Sequence, residues 1–200
     1  MSTNGDVIRR YRAEIEQSIA VKSAVLANVA LLGAVDDVIN AVLTALNVGG
    51  KVFFAGNGGS AADAQHLAAE FVSRLNFDRP GLPAQSLATD TSIITAIGND
   101  YGYDRLFARQ IQACARETDI FFGISTSGRS RNILEAFKEC RARRVTSVAL
   151  VGLSGELEGK VDHLIRIPSN VTARIQECHI LIGHIICSEV EHRFFAGQSV

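Results

Sequence analysis

From residue 51 onward the chain is punctuated by five short stretches of nearly unbroken apolar character: KVFFAG (51–56), PAQSLAT (83–89), DIFFGIS (119–125), TSVALVG (146–152) and HLIRIP (163–168). Each is bounded by Gly, Pro, Asp or Ser, and helical periodicity separates most of them. A strand with one wet face alternates apolar with polar residues. These runs do not alternate, so both faces of each strand must be covered, which is the condition of a parallel sheet with helical crossovers. The pattern predicts an α/β fold of three layers, α/β/α, around a five-stranded parallel sheet. Two helical patterns precede it, 6–32 and 35–46, the second ended by Gly49 and Gly50, and a long one, 171–195, closes the chain. At 200 residues and 47% hydrophobic content, one well-buried core is the expectation. That makes 1–200 a single domain, with 1–48 as helices for packing and oligomerisation and 49–200 as the sheet and its crossovers.

Charge and composition remove several classes of function. Lys and Arg number 20 against 21 Asp and Glu, a formal net charge of −1, so no overall positive field exists to draw in a phosphodiester backbone. No nucleic-acid partner is expected. The first residues, MSTNGDVIRRYRAEIEQ, are polar and helical, without the apolar core of a secretory signal, and a cytoplasmic location follows. The most apolar run, AVLANVALLGAV (24–35), contains Asn28 and falls short of the roughly 20 residues a bilayer requires, so it reads as a buried helix and no membrane partner is expected. Cys114, Cys140, Cys178 and Cys187 show no CxxC spacing and read as reduced thiols.

The chemistry concentrates in two turns and two helices. VFFAGNGGS and IFFGISTSG echo each other: an apolar strand ends in a Gly/Ser/Thr/Asn turn that opens a helix. In open α/β sheets ligands collect beyond the carboxyl ends of the strands. Asn57, Gly58, Gly59 and Ser60 in the first turn, and Ser125, Thr126, Ser127, Gly128 and Ser130 in the second, set small backbones and neutral donors at helix starts, a chemistry suited to phosphate. Neither turn matches GxxxxGK[ST] or GxGxxG. His66 and Glu70 are spaced i,i+4 on one helical face amid small residues, AAxAxxLAAxF, where an unpartnered carboxylate is costly. The last helix carries Gln176, His179 and His184 in an apolar band. For His179 the expectation is a buried imidazole hydrogen-bonded to a carbonyl. His163 and His192 carry no functional weight.

Together, AGNGGSAADAQHLAAEF, LATDTSIITAIGNDYGY, ISTSGRSRN and ARIQECHILIGH resemble the phosphoheptose isomerases, a branch of the sugar isomerase (SIS) domain family with a flavodoxin-like sheet. The resemblance spans nearly the whole chain. It implies conversion of sedoheptulose 7-phosphate to D-glycero-D-manno-heptose 7-phosphate, the first step towards the activated heptose of surface glycans such as lipopolysaccharide core. It also implies roles: Ser125, Thr126, Ser127 and Ser130 hold the phosphate, Asn57, Gly58, Gly59, Asn99 and Asp100 line the sugar path, and Gln176 touches the substrate. The resemblance further implies that Glu70, also in contact with substrate, and His184 form the catalytic pair, and that His66, Glu70, Gln176 and His184 bind one zinc per subunit of a homotetramer.

Two other readings stay open on the residues alone. Non-catalytic SIS paralogues that bind a replication initiator protein share the sheet and the serine loop but lack the glutamate of the HxxxE pair, present here as Glu70. A SIS isomerase for another sugar phosphate would share the whole set. Gln176 and His184 lie eight residues apart, so on one helix their backbones are separated by roughly 12 Å and by roughly 80° about the axis. His66 and Glu70 must therefore reach that helix from elsewhere, and a subunit contact is the expected place.

Overall fold

A computed structural model of the chain describes residues 4–196. It opens with two helices, α1 (Asn4–Ala27) and α2 (Val29–Asn47), and then alternates: β1 (Val52–Gly56), α3 (Gly59–Val72), β2 (Ala84–Ser86), α4 (Thr91–Tyr101), α5 (Leu106–Cys114), β3 (Ile120–Ser125), α6 (Arg131–Arg143), β4 (Thr146–Val151), β5 (His163–Arg166) and α7 (Thr172–Phe194). A short 3₁₀ turn, Tyr103–Arg105, leads into α5. All strand pairs are parallel, in the order β2-β1-β3-β4-β5. That is the flavodoxin-like order, with its switch of winding direction between β1 and β3.

The continuous apolar runs are explained by the two faces. Phe54, Phe122, Val148 and Leu150 point into a cluster with α2, α3 and α7, while Phe53, Phe121, Ala149 and Val151 point into a second cluster with α5 and α6. Every residue of β1 and β3 is buried.

Three local expectations are corrected. The helix break falls at Asn28, not between residues 32 and 35, because the Asn28 side chain accepts the backbone N–H of Leu31 at 3.0 Å and starts a new helix. The run 24–35 is consequently not one buried helix: Leu26, Val29 and Leu32 are exposed around the break. β2 is an edge strand of only three residues, since the chain turns at Leu87 and Ala88 and Asp90 caps α4 through the Ile93 N–H at 2.9 Å. By length and composition α2 could cross a membrane, yet Val38 and Val42 are fully buried inside the domain.

α1 is attached to α7 by polar contacts, with Ser18 Oγ donating to Glu177 at 2.6 Å beside an Arg174–Glu177 ion pair of 2.8 Å. Its apolar residues Ile8, Tyr11, Ile15 and Ile19 are left exposed. α4 buries no residue at all.

Candidate active site

Both turns leave the carboxyl ends of β1 and β3, which pair with Gly56 opposite Ile124, so the switch point sets them side by side. In the first, Gly58 takes φ +56° and starts α3 without a side-chain cap, leaving the helix's first N–H groups free of one. In the second, the Ser125 and Ser130 hydroxyls are 3.0 Å apart, and the Ser127 hydroxyl accepts the Arg129 N–H at 3.2 Å. Ser130 is the N-cap of α6 but makes no capping bond; its hydroxyl is turned towards Ser125. Thr126 lies between them, half-buried.

α3 and α7 run side by side, and four contacts follow one another along the pair and the loop after α3. First, the Gln176 side chain lies against Gly59, where any Cβ would strike its amide. Next, Leu67 fills the space a Cβ on Gly183 would need, so the α3 side chain packs directly on the α7 backbone. That approach delivers His184 to α3: its Nε2 lies 2.8 Å from His66 Nε2, and His66 Nε2 lies 3.2 Å from Glu70 Oε1. Last, a buried ion pair of 2.9 Å joins Arg79 to Glu191. Arg79 also donates to the carbonyls of Phe71 at 2.6 Å and Glu70 at 2.8 Å, and Glu191 accepts the N–H groups of Leu75 and Asn76. The two helices that carry the ionisable cluster are thus clamped just beyond it.

His66, Glu70 and His184 offer ligand atoms all within 4.8 Å of one another, and two imidazoles with one carboxylate make a donor set that fits zinc. The structure brings these three together within one chain, so no neighbouring subunit is needed to carry His184 to Glu70. Gln176, expected in the same set, sits two turns earlier on α7 beside the first turn. Asn99 donates to Asp100 at 2.8 Å, both exposed at the end of α4; their contact is with each other rather than with the turns. His184 opens into a shallow cavity of about 450 Å³ with Leu181, Ile185, Ser188, Leu75 and Asn76. A larger one of about 1000 Å³ lies behind the serine loop, but Arg105 and Lys138 there are paired with Glu135, Arg131 with Asp104, and Arg141 with the Gly159 carbonyl.

Asn132, Tyr103 and Asp63 escaped the sequence reading. Asn57 exchanges amide hydrogen bonds of 2.9 and 2.8 Å with Asn132, and the Tyr103 hydroxyl donates to it at 2.9 Å. Asp63, one turn before His66, keeps a buried carboxylate oxygen with no partner, and burial pushes its pKa up while His66 pulls it down. The expectation for His179 is corrected. It is fully buried with no hydrogen-bond partner on either ring nitrogen, and burial pushes its pKa down to about 4. The Val151 backbone counters that shift without meeting hydrogen-bond geometry.

A flavodoxin-like sheet with a serine-rich turn at its switch point and an ionisable cluster between α3 and α7 defines a SIS domain protein, and the SIS domain family matches residues 15–152. The chain belongs, within that family, to the phosphoheptose isomerases, and so to a family of enzymes. It is 54% identical over 185 residues to the phosphoheptose isomerase of Burkholderia pseudomallei, covering 92% of this chain and 94% of that one. It is 52% identical over 190 residues to that of Aneurinibacillus thermoaerophilus, covering 94% and 96%. The solved phosphoheptose isomerase GmhA of Neisseria gonorrhoeae superposes with a TM-score of 0.86 at 40% identity, covering 92% of this chain and 98% of that one.

Proposed function

We propose that this chain interconverts sedoheptulose 7-phosphate and D-glycero-D-manno-heptose 7-phosphate in the cytoplasm, ahead of the heptose units of surface glycans. The observation that carries the reading is the His66–Glu70–His184 cluster, formed across α3 and α7 in a chain that also carries a serine loop suited to phosphate. Ser125, Thr126, Ser127 and Ser130 hold the phosphate with neutral donors, and Asn57, Gly58, Gly59, Asn99 and Asp100 line the sugar. The Glu70 carboxylate removes a proton from C1 of the ketose, giving an enediol. His184 serves as the acid that returns a proton at C2, while O1 loses and O2 gains a proton. Each positioned transfer contributes about 10²- to 10⁴-fold. His66, within hydrogen-bond reach of both, holds the pair in register.

His66, Glu70 and His184 would hold a zinc ion, and we assign Gln176 to the same set. Bound there, zinc would supply Lewis acidity towards the substrate oxygens. The active assembly is a homotetramer with active sites at subunit contacts; supporting this, the His184 cavity is bordered by exposed Leu181 and Ile185, and α1 and α4 present uncovered surfaces. Neither nucleic acid nor membrane is a partner.

A coupled assay tests the reading. Sedoheptulose 7-phosphate should turn over at least about 100-fold more efficiently than fructose 6-phosphate, and Glu70→Gln should abolish turnover with substrate binding retained. Preference for the six-carbon substrate would reassign the enzyme to another sugar phosphate. Near-normal turnover by Glu70→Gln would remove Glu70 as the base.

A further inference from the structure

The Asn57 amide sits at the switch point of the sheet, in the first turn and bonded across to the start of α6. Its Oδ1 accepts two hydrogen bonds, from Asn132 Nδ2 at 2.8 Å and from the Tyr103 hydroxyl at 2.9 Å. Its Nδ2 gives one N–H to Asn132 Oδ1 at 2.9 Å. An amide oxygen has two lone pairs and an amide nitrogen two hydrogens, so the oxygen is saturated and a single N–H is left over. The amide can offer a ligand one donor and no acceptor. Asn132 is buried, 2% exposed, in the first turn of α6, so its own amide cannot turn away to water. Tyr103 reaches in from the 3₁₀ turn. Three separate segments of the chain converge on this one polar group.

We propose that Asn132 and Tyr103 are positioning residues that lock Asn57 as a one-donor contact, selecting an oxygen acceptor of the sugar phosphate at that point. The inference rests on the assignment of Asn57 to the sugar path. Locking works because Asn132 is held in place by its burial, and rotating the Asn57 amide alone would set N–H against N–H and oxygen against oxygen in a part-buried pair, leaving polar atoms without partners. The amide pair also ties the β1 turn to the start of α6, so both turns share one alignment.

The test is steady-state kinetics with sedoheptulose 7-phosphate on the full chain carrying Asn57→Ala, Asn132→Ala, both together, or Tyr103→Phe. Asn132→Ala should raise KM about tenfold, the worth of one hydrogen bond, and change kcat less than about threefold. Tyr103→Phe should raise KM about threefold. In the Asn57→Ala background, Asn132→Ala should add less than about twofold, because the residue it positions is gone. Additive effects in the double variant would overturn the inference and leave the sugar path standing. An unchanged KM in Asn57→Ala would overturn both. Should Asn132→Ala fail to fold, Tyr103→Phe decides, since its ring is exposed; an unchanged KM there also overturns the proposal.

Discussion

His179 is neutral in the folded chain because burial holds its pKa at about 4, against an ordinary 6.5. A group whose folded pKa is depressed favours the native state while both states are deprotonated. Its contribution is therefore complete above about pH 6.5 and declines as the pH falls from there towards 4, because the unfolded imidazole takes up a proton that the folded one refuses. The slope approaches about 1.4 kcal/mol per pH unit and the total is about 3 kcal/mol. Urea midpoints should fall between pH 7.5 and pH 5, and His179→Leu should flatten much of that fall. An identical pH dependence in the two proteins would take His179 out of the account. Glu191, also buried, acts in a lower window: its backbone N–H partners and Arg79 hold its pKa below the usual 4.5 against desolvation, so its contribution is lost only in stronger acid.

Among the elements, α3 and α7 matter most, and their alignment depends on the Arg79–Glu191 clamp. Both side chains are about 1% exposed, and removing one partner strands a buried charge. Glu191→Ala should cost about 3–5 kcal/mol in urea denaturation, whereas replacing both residues by leucine should cost less than the single change. A loss below about 1 kcal/mol for Glu191→Ala would show that the clamp is not needed. This device was invisible in the sequence, where Arg79 and Glu191 stand 112 residues apart and each looks like a surface charge. The same distance effect hid Asn132 and Tyr103. By contrast, the sheet was legible because unbroken apolar runs admit few explanations, and the two turns were legible because Gly, Ser, Thr and Asn cluster there for steric and hydrogen-bonding reasons. His66 and Glu70 were legible because helical spacing is local. Asn28 misled because one asparagine inside a long helical pattern reads as part of a continuous helix, and only the structure shows it capping a new one.

The molecule as a whole leaves Ile8, Tyr11, Ile15 and Ile19 in an exposed row on α1, spaced three and four residues apart, with Leu181 and Ile185 exposed beside His184. Such a row fits helix-on-helix association between copies of the chain. Ile15→Glu with Ile19→Glu should lower the mass measured by sedimentation and reduce turnover, while the isolated chain stays folded, since neither residue belongs to its core. An unaltered mass would place the contact elsewhere. The position of α2 has a different consequence, one that concerns biosynthesis. Its buried side rests on β5 and α7, which the ribosome makes last. Translation at about 5–20 residues per second puts roughly a hundred residues between helix and cover, a wait on the order of ten seconds. For that interval the nascent chain carries a segment with the length and apolarity of a membrane span and lacks the two elements that cover most of its buried side.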